Sequence, residues 1–363
     1  MAQPSAAARQ SLGSPPRIGR LEGLRQRPRY LALGGLIAAL AAAVAGLALG
    51  NVAIAPADTI AILAHRLLGW PVTETWPQTA ETIVFDLRLP RVISTLAVGA
   101  GLAVAGTTLQ GLLRNPLADP YVLGTASGAA LGASIALLLP VQMMLFGIGL
   151  LHFFAFAGAL LAVTVVYRLS RTSALASLTG LLLTGYAVAS LLAAGLALTM
   201  YLSGAHLRQI FSYLLGSFAT TSWVDVGGGL PLIVAGSALI LMRARALNGL
   251  LLGEETAAHL GIDVRRERVA LLALASLVTA AAVALSGLIG FVGLVVPHVV
   301  RLLVGPNARL VLPLSALFGA SFLTVADLVA RVPGELPVGI VTAVVGAPFF
   351  LYLLRRVRSG YEL

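Results

Sequence analysis

Eight stretches of this chain contain no Asp, Glu or Arg: residues 30–57, 92–113, 120–167, 172–207, 226–242, 269–300, 310–326 and 336–354. A charge at the centre of a membrane helix costs about 2.5–3.5 kcal/mol on insertion scales, so such runs mark where hydrocarbon can surround a chain. One span needs about 20 residues. The 48-residue run from Pro120 to Tyr167 therefore predicts two helices, broken near Pro140 and Gln142. The 32 residues from Val269 to Val300 predict one full helix and a shorter one, broken by Gly287, Gly290 and Gly293. The expectation is an all-α polytopic membrane protein with ten transmembrane helices. Composition excludes the soluble alternative: the chain is 58% hydrophobic and 10% charged, against about 45–50% and about 25% in soluble domains. With 24 basic and 14 acidic residues in 363, too little polar surface exists to hydrate the outside, which must face a lipid bilayer.

Arginine placement orients the ten helices. Residues 1–29 carry six arginines against the single Glu22, which holds this Pro-, Ser- and Gly-rich, disordered tail in the cytoplasm. Each even-numbered helix then ends at arginine: Arg114, Arg168 with Arg171, Arg243 with Arg245, Arg301, and Arg355 with Arg356 and Arg358. Both termini are expected in the cytoplasm. A leader near 30 residues and a full-length apolar run favour an uncleaved anchor over a signal peptide, so residues 30–363 read as one transmembrane domain in a cell (cytoplasmic or inner) membrane. The excess of +10 marks cytoplasmic helix ends rather than nucleic acid.

Absent residue types remove chemistries. The 24 basic residues are all arginine and cysteine does not occur. Without lysine there is no phosphate-loop GK[ST], and without cysteine no thiol nucleophile, disulfide or iron–sulfur site. No pair of histidines has metal-binding spacing, and His152 and His298 are not offered as ligands. No metal site and no catalytic constellation is expected in this chain. The acids lie at helix ends or in loops, which counts against the alternative of an ion-coupled secondary transporter, whose coupling carboxylate would sit inside a helix.

Three segments resist a purely structural reading. Arg88-Leu-Pro-Arg91 is followed by an apolar helix and then by Gln110-Gly-Leu-Leu-Arg-Asn115-Pro116-Leu117-Ala118-Asp119-Pro120-Tyr-Val-Leu-Gly124. Two prolines there remove backbone donors and leave carbonyls to be satisfied by protein or water. Gly287-Leu-Ile-Gly290-Phe-Val-Gly293-Leu-Val-Val-Pro297-His298-Val-Val-Arg301 interrupts an apolar run with glycine and proline. The charged loop Gly253-Glu254-Glu255-Thr-Ala257-Ala258-His-Leu260-Gly261 falls between helices six and seven, within a cytoplasmic connection of about residues 253–265.

These segments, with Asp327-Leu-Val-Ala-Arg331 and Gly346-Ala-Pro-Phe-Phe-Leu-Tyr-Leu-Leu354, resemble in order and spacing the iron-chelate and cobalamin permeases of type II ABC importers, often called FecCD-type, over about residues 85–356. The resemblance implies the type II importer permease fold, a homodimer with its pathway on the two-fold axis, a pair of ABC ATPase subunits that bind MgATP and hydrolyse it, and an extracytoplasmic substrate-binding protein. It gives the loop the role of coupling helix: Gly253 and Glu254 open it, Ala257 and Ala258 allow close approach to the ATPase, Leu260 fills an apolar pocket and Gly261 closes the helix in a left-handed cap. Arg88, Arg91 and Arg331 match positions that receive carboxylates of the binding protein, the alternative being local neutralisation of Asp86, Asp327 or Glu335. Asn115 and Leu117, with Thr172 and Ser173, match the cytoplasmic constriction, Leu117 and Ser173 serving equally as packing residues. The expected cargo is an iron complex, siderophore or haem, with cobalamin as the alternative. Phe211-Ser-Tyr-Leu-Leu-Gly216-Ser217-Phe departs from the FW-x-x-GS form associated with many siderophore and haem members.

Overall fold

The computed structural model describes residues 28–50, 52–70, 76–141, 144–145, 148–172, 178–332 and 334–358. Among the described residues ten apolar helices carry the fold: α1 (Pro28–Ala48), α3 (Gln78–Leu112), α4 (Thr125–Leu138), α5 (Leu150–Thr172), α6 (Leu178–Leu202), α8 (Trp223–Met242), α11 (Val264–Ser286), α12 (Val292–Val304), α13 (Ala308–Arg331) and α14 (Val338–Arg358). Between them stand the short helices α2 (Pro56–Leu68), α7 (Leu207–Leu214), α9 (Ala244–Leu251) and α10 (Glu254–His259). A two-residue antiparallel pair, Met144–Leu145 with Ile148–Gly149, turns the chain between α4 and α5. Seven of the ten are long and apolar enough to cross a membrane, and three are shorter. Of the tail, all but Pro28 and Arg29 lies outside the described residues.

The breaks fall where punctuation was read. Helix α4 stops at Leu138, just before Pro140, and α11 stops at Ser286. The second break runs from Gly287 to Phe291, both in positive φ (70° each), so Gly293 lies inside α12 rather than in the interruption. Most helices run past their charge-free stretches, and α3 and α13 do so with charged side chains that are buried. The α3 helix begins at Gln78, well before Val92, and passes through a π-helical stretch, Ile83–Arg88. Its 35 residues span roughly 50 Å at 1.5 Å per residue, more than the hydrocarbon core. The α13 helix likewise continues through Asp327 to Arg331. Partners within the fold satisfy Arg88 with carbonyls and pair Arg91 and Arg331 with Asp327, so helical backbone persists beyond the apolar run.

Helix α3 is the centre, packed by α13, α11, α12 and α8. In its apolar window 83% of residues are buried, whereas in α6 only 11% are. Lipid is as apolar as leucine, so helices associate here by close packing of small residues. A side-chain carbon added at Gly99 would lie 2.3 Å from the Gly319 carbonyl oxygen, and one at Gly106 only 1.8 Å from that of Gly293. Glycine at these positions sets how closely α3 meets α13 and α12.

Candidate functional site: a broken helix, two polar ends and an exposed loop

The interruption between α11 and α12 is satisfied by the other motif segments. Tyr121, in the turn Pro120–Leu123 that precedes α4, donates its hydroxyl proton to the Ile289 carbonyl (2.9 Å) and accepts from the Ile289 N–H (3.1 Å). From the segment after α6, the Tyr213 carbonyl accepts from Leu288 N–H (3.3 Å), and Ser217 N–H donates to the Ser286 carbonyl (2.9 Å). Gly339 N–H, at the start of α14, donates to the Leu215 carbonyl (3.1 Å). Exposed peptide groups are costly in a bilayer. Here partners from two distant segments, Tyr121 and residues 213–217, hold the unwound stretch, and Gly339 in turn ties the second of them to α14.

At the end that carries the charged loop, polar side chains tie the same elements together. Gln110, near the end of α3, donates its amide to the Gly293 and Leu294 carbonyls (3.3 and 3.2 Å) and accepts from the Arg301 guanidinium (3.0 Å). Arg114 donates to the Leu250 carbonyl of α9 (3.1 Å), and Asn248 of α9 bonds Asn307 and the Ala308 N–H at the start of α13 (2.8 and 2.7 Å). Asn115 is exposed, and its side-chain oxygen accepts from the Leu117 N–H (2.9 Å), closing its own turn; Leu117 is half-buried. Thr172 is the last residue of α5, and Ser173 lies outside the described residues. The link from α3 through Gln110 to Arg301 was quoted within two motifs, but only folding joins them.

In the loop, Gly253 takes φ 119° and opens α10, whose Glu254 pairs with Arg268 of α11. Gly261 stands just past the helix with φ 76°, its N–H bonded to the Ala258 carbonyl and that of Ile262 to the Ala257 carbonyl (2.9 and 3.0 Å). A left-handed residue with this bond pair is the Schellman arrangement. The two alanines part company: Ala257 is fully buried beside Gly249, while Ala258 is exposed. Leu260 is 62% exposed and Leu252 67%, an apolar pair standing out of a charged loop. Helix α9, which supplies Leu252's base, was not anticipated; its eight residues end the apolar run of α8 at Arg243.

At the opposite end the three arginines lie inside the fold, with 6, 8 and 3% of Arg88, Arg91 and Arg331 exposed. Arg91 binds Asp327 through Nε (3.1 and 3.0 Å) and Nη2 (2.9 Å) and reaches Glu335 with Nη1 (2.8 Å). Arg331 binds Asp327 Oδ2 from Nε and Nη2 (3.0 and 2.7 Å) and the Gly46 carbonyl of α1 (2.8 Å). Arg88 donates to the carbonyls of Leu47 and Ala48 (2.8 and 2.9 Å) and to that of Val52. This arrangement neutralises Asp327 and Glu335 locally. Asp86 takes no part in these bonds. Receipt of an outside carboxylate would require some of them to open.

At the same end as these arginines, a recess of about 570 Å³ opens between α4, α5, α7 and α8, with His152, His206, Gln209 and Asp225 on its walls. His152 Nδ1 stands 3.2 Å from Asp225. Among the described residues no three histidine or acidic side chains come together as a metal site.

A bundle with ten apolar helices among the described residues, two of them joined by an unwound stretch, and with a helical loop at one end, is the architecture of an importer permease. A family profile described as the FecCD transport family matches residues 37–356. The chain is 49% identical over 301 residues to the cobalamin import system permease protein BtuC of Halobacterium salinarum, covering 83% of this chain and 79% of that protein. It is 42% identical to the hemin transport system permease protein HmuU of Yersinia pestis, covering 76% and 84%. A solved metal-chelate type ABC transporter in an inward-facing conformation superposes with TM-score 0.76 at 31% identity, covering 91% of this chain and 99% of that one. The protein belongs to the FecCD transport family and is a membrane-spanning permease of an ABC importer.

Proposed function

We propose that this permease moves a large metal chelate inward, and that the chelate is cobalamin. The relative at 49% identity, named for cobalamin import, carries that reading. The Phe211–Phe218 segment supports it, since it lacks the tryptophan associated with many siderophore and haem members. The resemblance alone put an iron complex first; the identity to a cobalamin permease supports reversing that order. Haem is the second reading, favoured by the relative named for hemin transport.

The working unit is two copies of this chain, two ABC ATPase subunits that hydrolyse MgATP, and a substrate-binding protein on the outer side. The weakly packed α6, with Tyr186, Leu191, Leu198 and Tyr201 exposed, offers apolar surface for the second copy. The α10 loop couples to the ATPase through Ala258 and Leu260, while Ala257, being buried, acts by seating the helix. Asn115, Leu117, Thr172 and Ser173 form the cytoplasmic constriction. Arg88, Arg91 and Arg331 serve docking through the outer mouth that their bonds hold in shape. Both termini and the loop face the cytoplasm, as the arginine distribution requires, in the cytoplasmic membrane, inner where a second membrane is present.

The test is uptake into proteoliposomes holding this permease with its ATPase and binding protein. Cobalamin accumulation that requires ATP, with none for hemin or a ferric siderophore, is expected. Accumulation of hemin without cobalamin overturns the cargo and leaves the importer. Hydrolysis by the permease alone would overturn the division of labour, because a chain without lysine has no phosphate loop.

A further inference from the structure

Two guanidinium groups outside the clusters above share a recess of about 300 Å³ with an apolar wall. Arg245 is the second residue of α9, just past the end of α8, and Arg309 is the second residue of α13. Both are exposed. Leu241, Met242, Ala244, Leu312 and Pro313 form the rest of the wall, with Met242 78% exposed and Leu312 fully buried. Three other arginines at this end have carboxylates: Arg243 faces Glu267 at 3.5 Å, Arg266 faces Asp263 at 3.0 Å, and Arg268 pairs with Glu254. Among the described residues Arg245 and Arg309 have no ion pair and no side-chain hydrogen bond.

Their level in the fold identifies what can fill the recess. The charge-free run of α8 ends at Met242, three residues before Arg245, and that of α13 begins at Leu310, one residue after Arg309. Both cations therefore stand where hydrocarbon gives way to headgroups, with apolar wall on the hydrocarbon side. An anion bound there meets two planar donors suited to phosphate oxygens. A free phosphate would leave Met242 and Leu241 uncovered, whereas a phospholipid covers them with its chains. Basic pockets between membrane helices on the cytoplasmic side are suited to anionic headgroups.

We propose that Arg245 and Arg309 clamp the phosphate of an anionic phospholipid, its acyl chains lying along Met242 and Leu241. The site follows from the recess itself; only its leaflet, cytoplasmic, rests on the orientation proposed above.

The experiment uses the full chain, delipidated in detergent and offered phosphatidylglycerol or phosphatidylcholine, with bound lipid counted by native mass spectrometry. Preferential retention of phosphatidylglycerol is expected. The double variant Arg245→Gln with Arg309→Gln should bind it roughly thirtyfold more weakly, since losing about 1 kcal/mol for each of two surface cations compares with the 1.4 kcal/mol of a tenfold change. Arg245→Lys with Arg309→Lys should keep most of the preference. Both positions are exposed and unbonded, so the variants are expected to fold, and an unchanged thermal midpoint checks that. Equal retention of the two lipids, or full retention by the Gln variant, overturns the proposal. Displacement of phosphatidylglycerol by inorganic phosphate at equal concentration assigns the clamp to a soluble anion instead. Loss of ATPase co-purification by the Gln variant, with lipid retention unchanged, assigns the surface to that partner. None of these outcomes bears on uptake of the chelate, so the importer reading stands or falls separately.

Discussion

Asp327 of α13 is held by Arg91 of α3 across 236 residues of sequence, with Arg91 Nε and Nη2 both within 3.1 Å of the carboxylate and Arg331 closing on the same group from one turn further along. One carboxylate thus answers two buried guanidinia. Removing one member of a buried ion pair is strongly destabilising, by about 3–5 kcal/mol, because the other is left charged and dry. Asp327→Ala leaves Arg331 with only the Gly46 carbonyl and Arg91 with only the half-exposed Glu335, whereas Arg91→Ala leaves Asp327 with Arg331. The thermal midpoint of the full chain in detergent should therefore fall further for Asp327→Ala than for Arg91→Ala, and the reverse order would mean that the pair is not what joins α3 to α13.

The same bonds predict what charge reversal at Arg88 and Arg91 will do. Arg88→Glu with Arg91→Glu puts two acids beside Asp327 and the Leu47 and Ala48 carbonyls. Association with the binding protein should weaken, and thermal stability should fall with it. Weakened association at an unchanged midpoint, with a salt response reversed in sign, would instead show that these arginines touch the partner directly.

Leu260→Asp tests the loop. The side chain is 62% exposed and makes little of the core, so the permease should fold with a stability within about 0.5 kcal/mol of the parent. A charge cannot enter an apolar docking pocket, so co-purification with the ATPase should be lost. Ala257→Asp behaves differently, because Ala257 is fully buried and the loop itself would come apart. Unchanged co-purification of Leu260→Asp removes the coupling role.

Gly106→Ala adds a carbon where 1.8 Å separates it from the Gly293 carbonyl oxygen, and backbone cannot step aside as a side chain can. The loss should reach the upper end of the roughly 1–3 kcal/mol typical of overpacking. Gly34→Ala in α1 meets nothing within 4 Å and should be neutral. Equal midpoints for the two variants would contradict the close crossing of α3 and α12.

The number of apolar helices, the break after Leu138, the break after Ser286 and the left-handed turn at Gly261 were legible in the sequence, because each depends on local chemistry: the cost of a charge in lipid, the missing N–H of proline, the backbone freedom of glycine. Helix ends were less legible. The run that begins at Val92 belongs to a helix that begins at Gln78, since Arg88 and Arg91 find carbonyls and carboxylates that no window of neighbouring residues contains.

What only the tertiary structure decided is the company each polar group keeps. Motif spacing brought Arg88, Arg91 and Arg331 together in function but left open whether they face a partner or Asp327 and Glu335, and packing turned them inward. Ala257 and Ala258 are indistinguishable as letters, yet one turns into the fold and the other out of it. Arg245 and Arg309 read simply as cytoplasmic ends until their helices were set side by side. A sequence reports what each residue costs in water or lipid, which is a one-body property; a pairing between residues 91 and 327 is a two-body property, and it exists only once the chain has closed the distance between them.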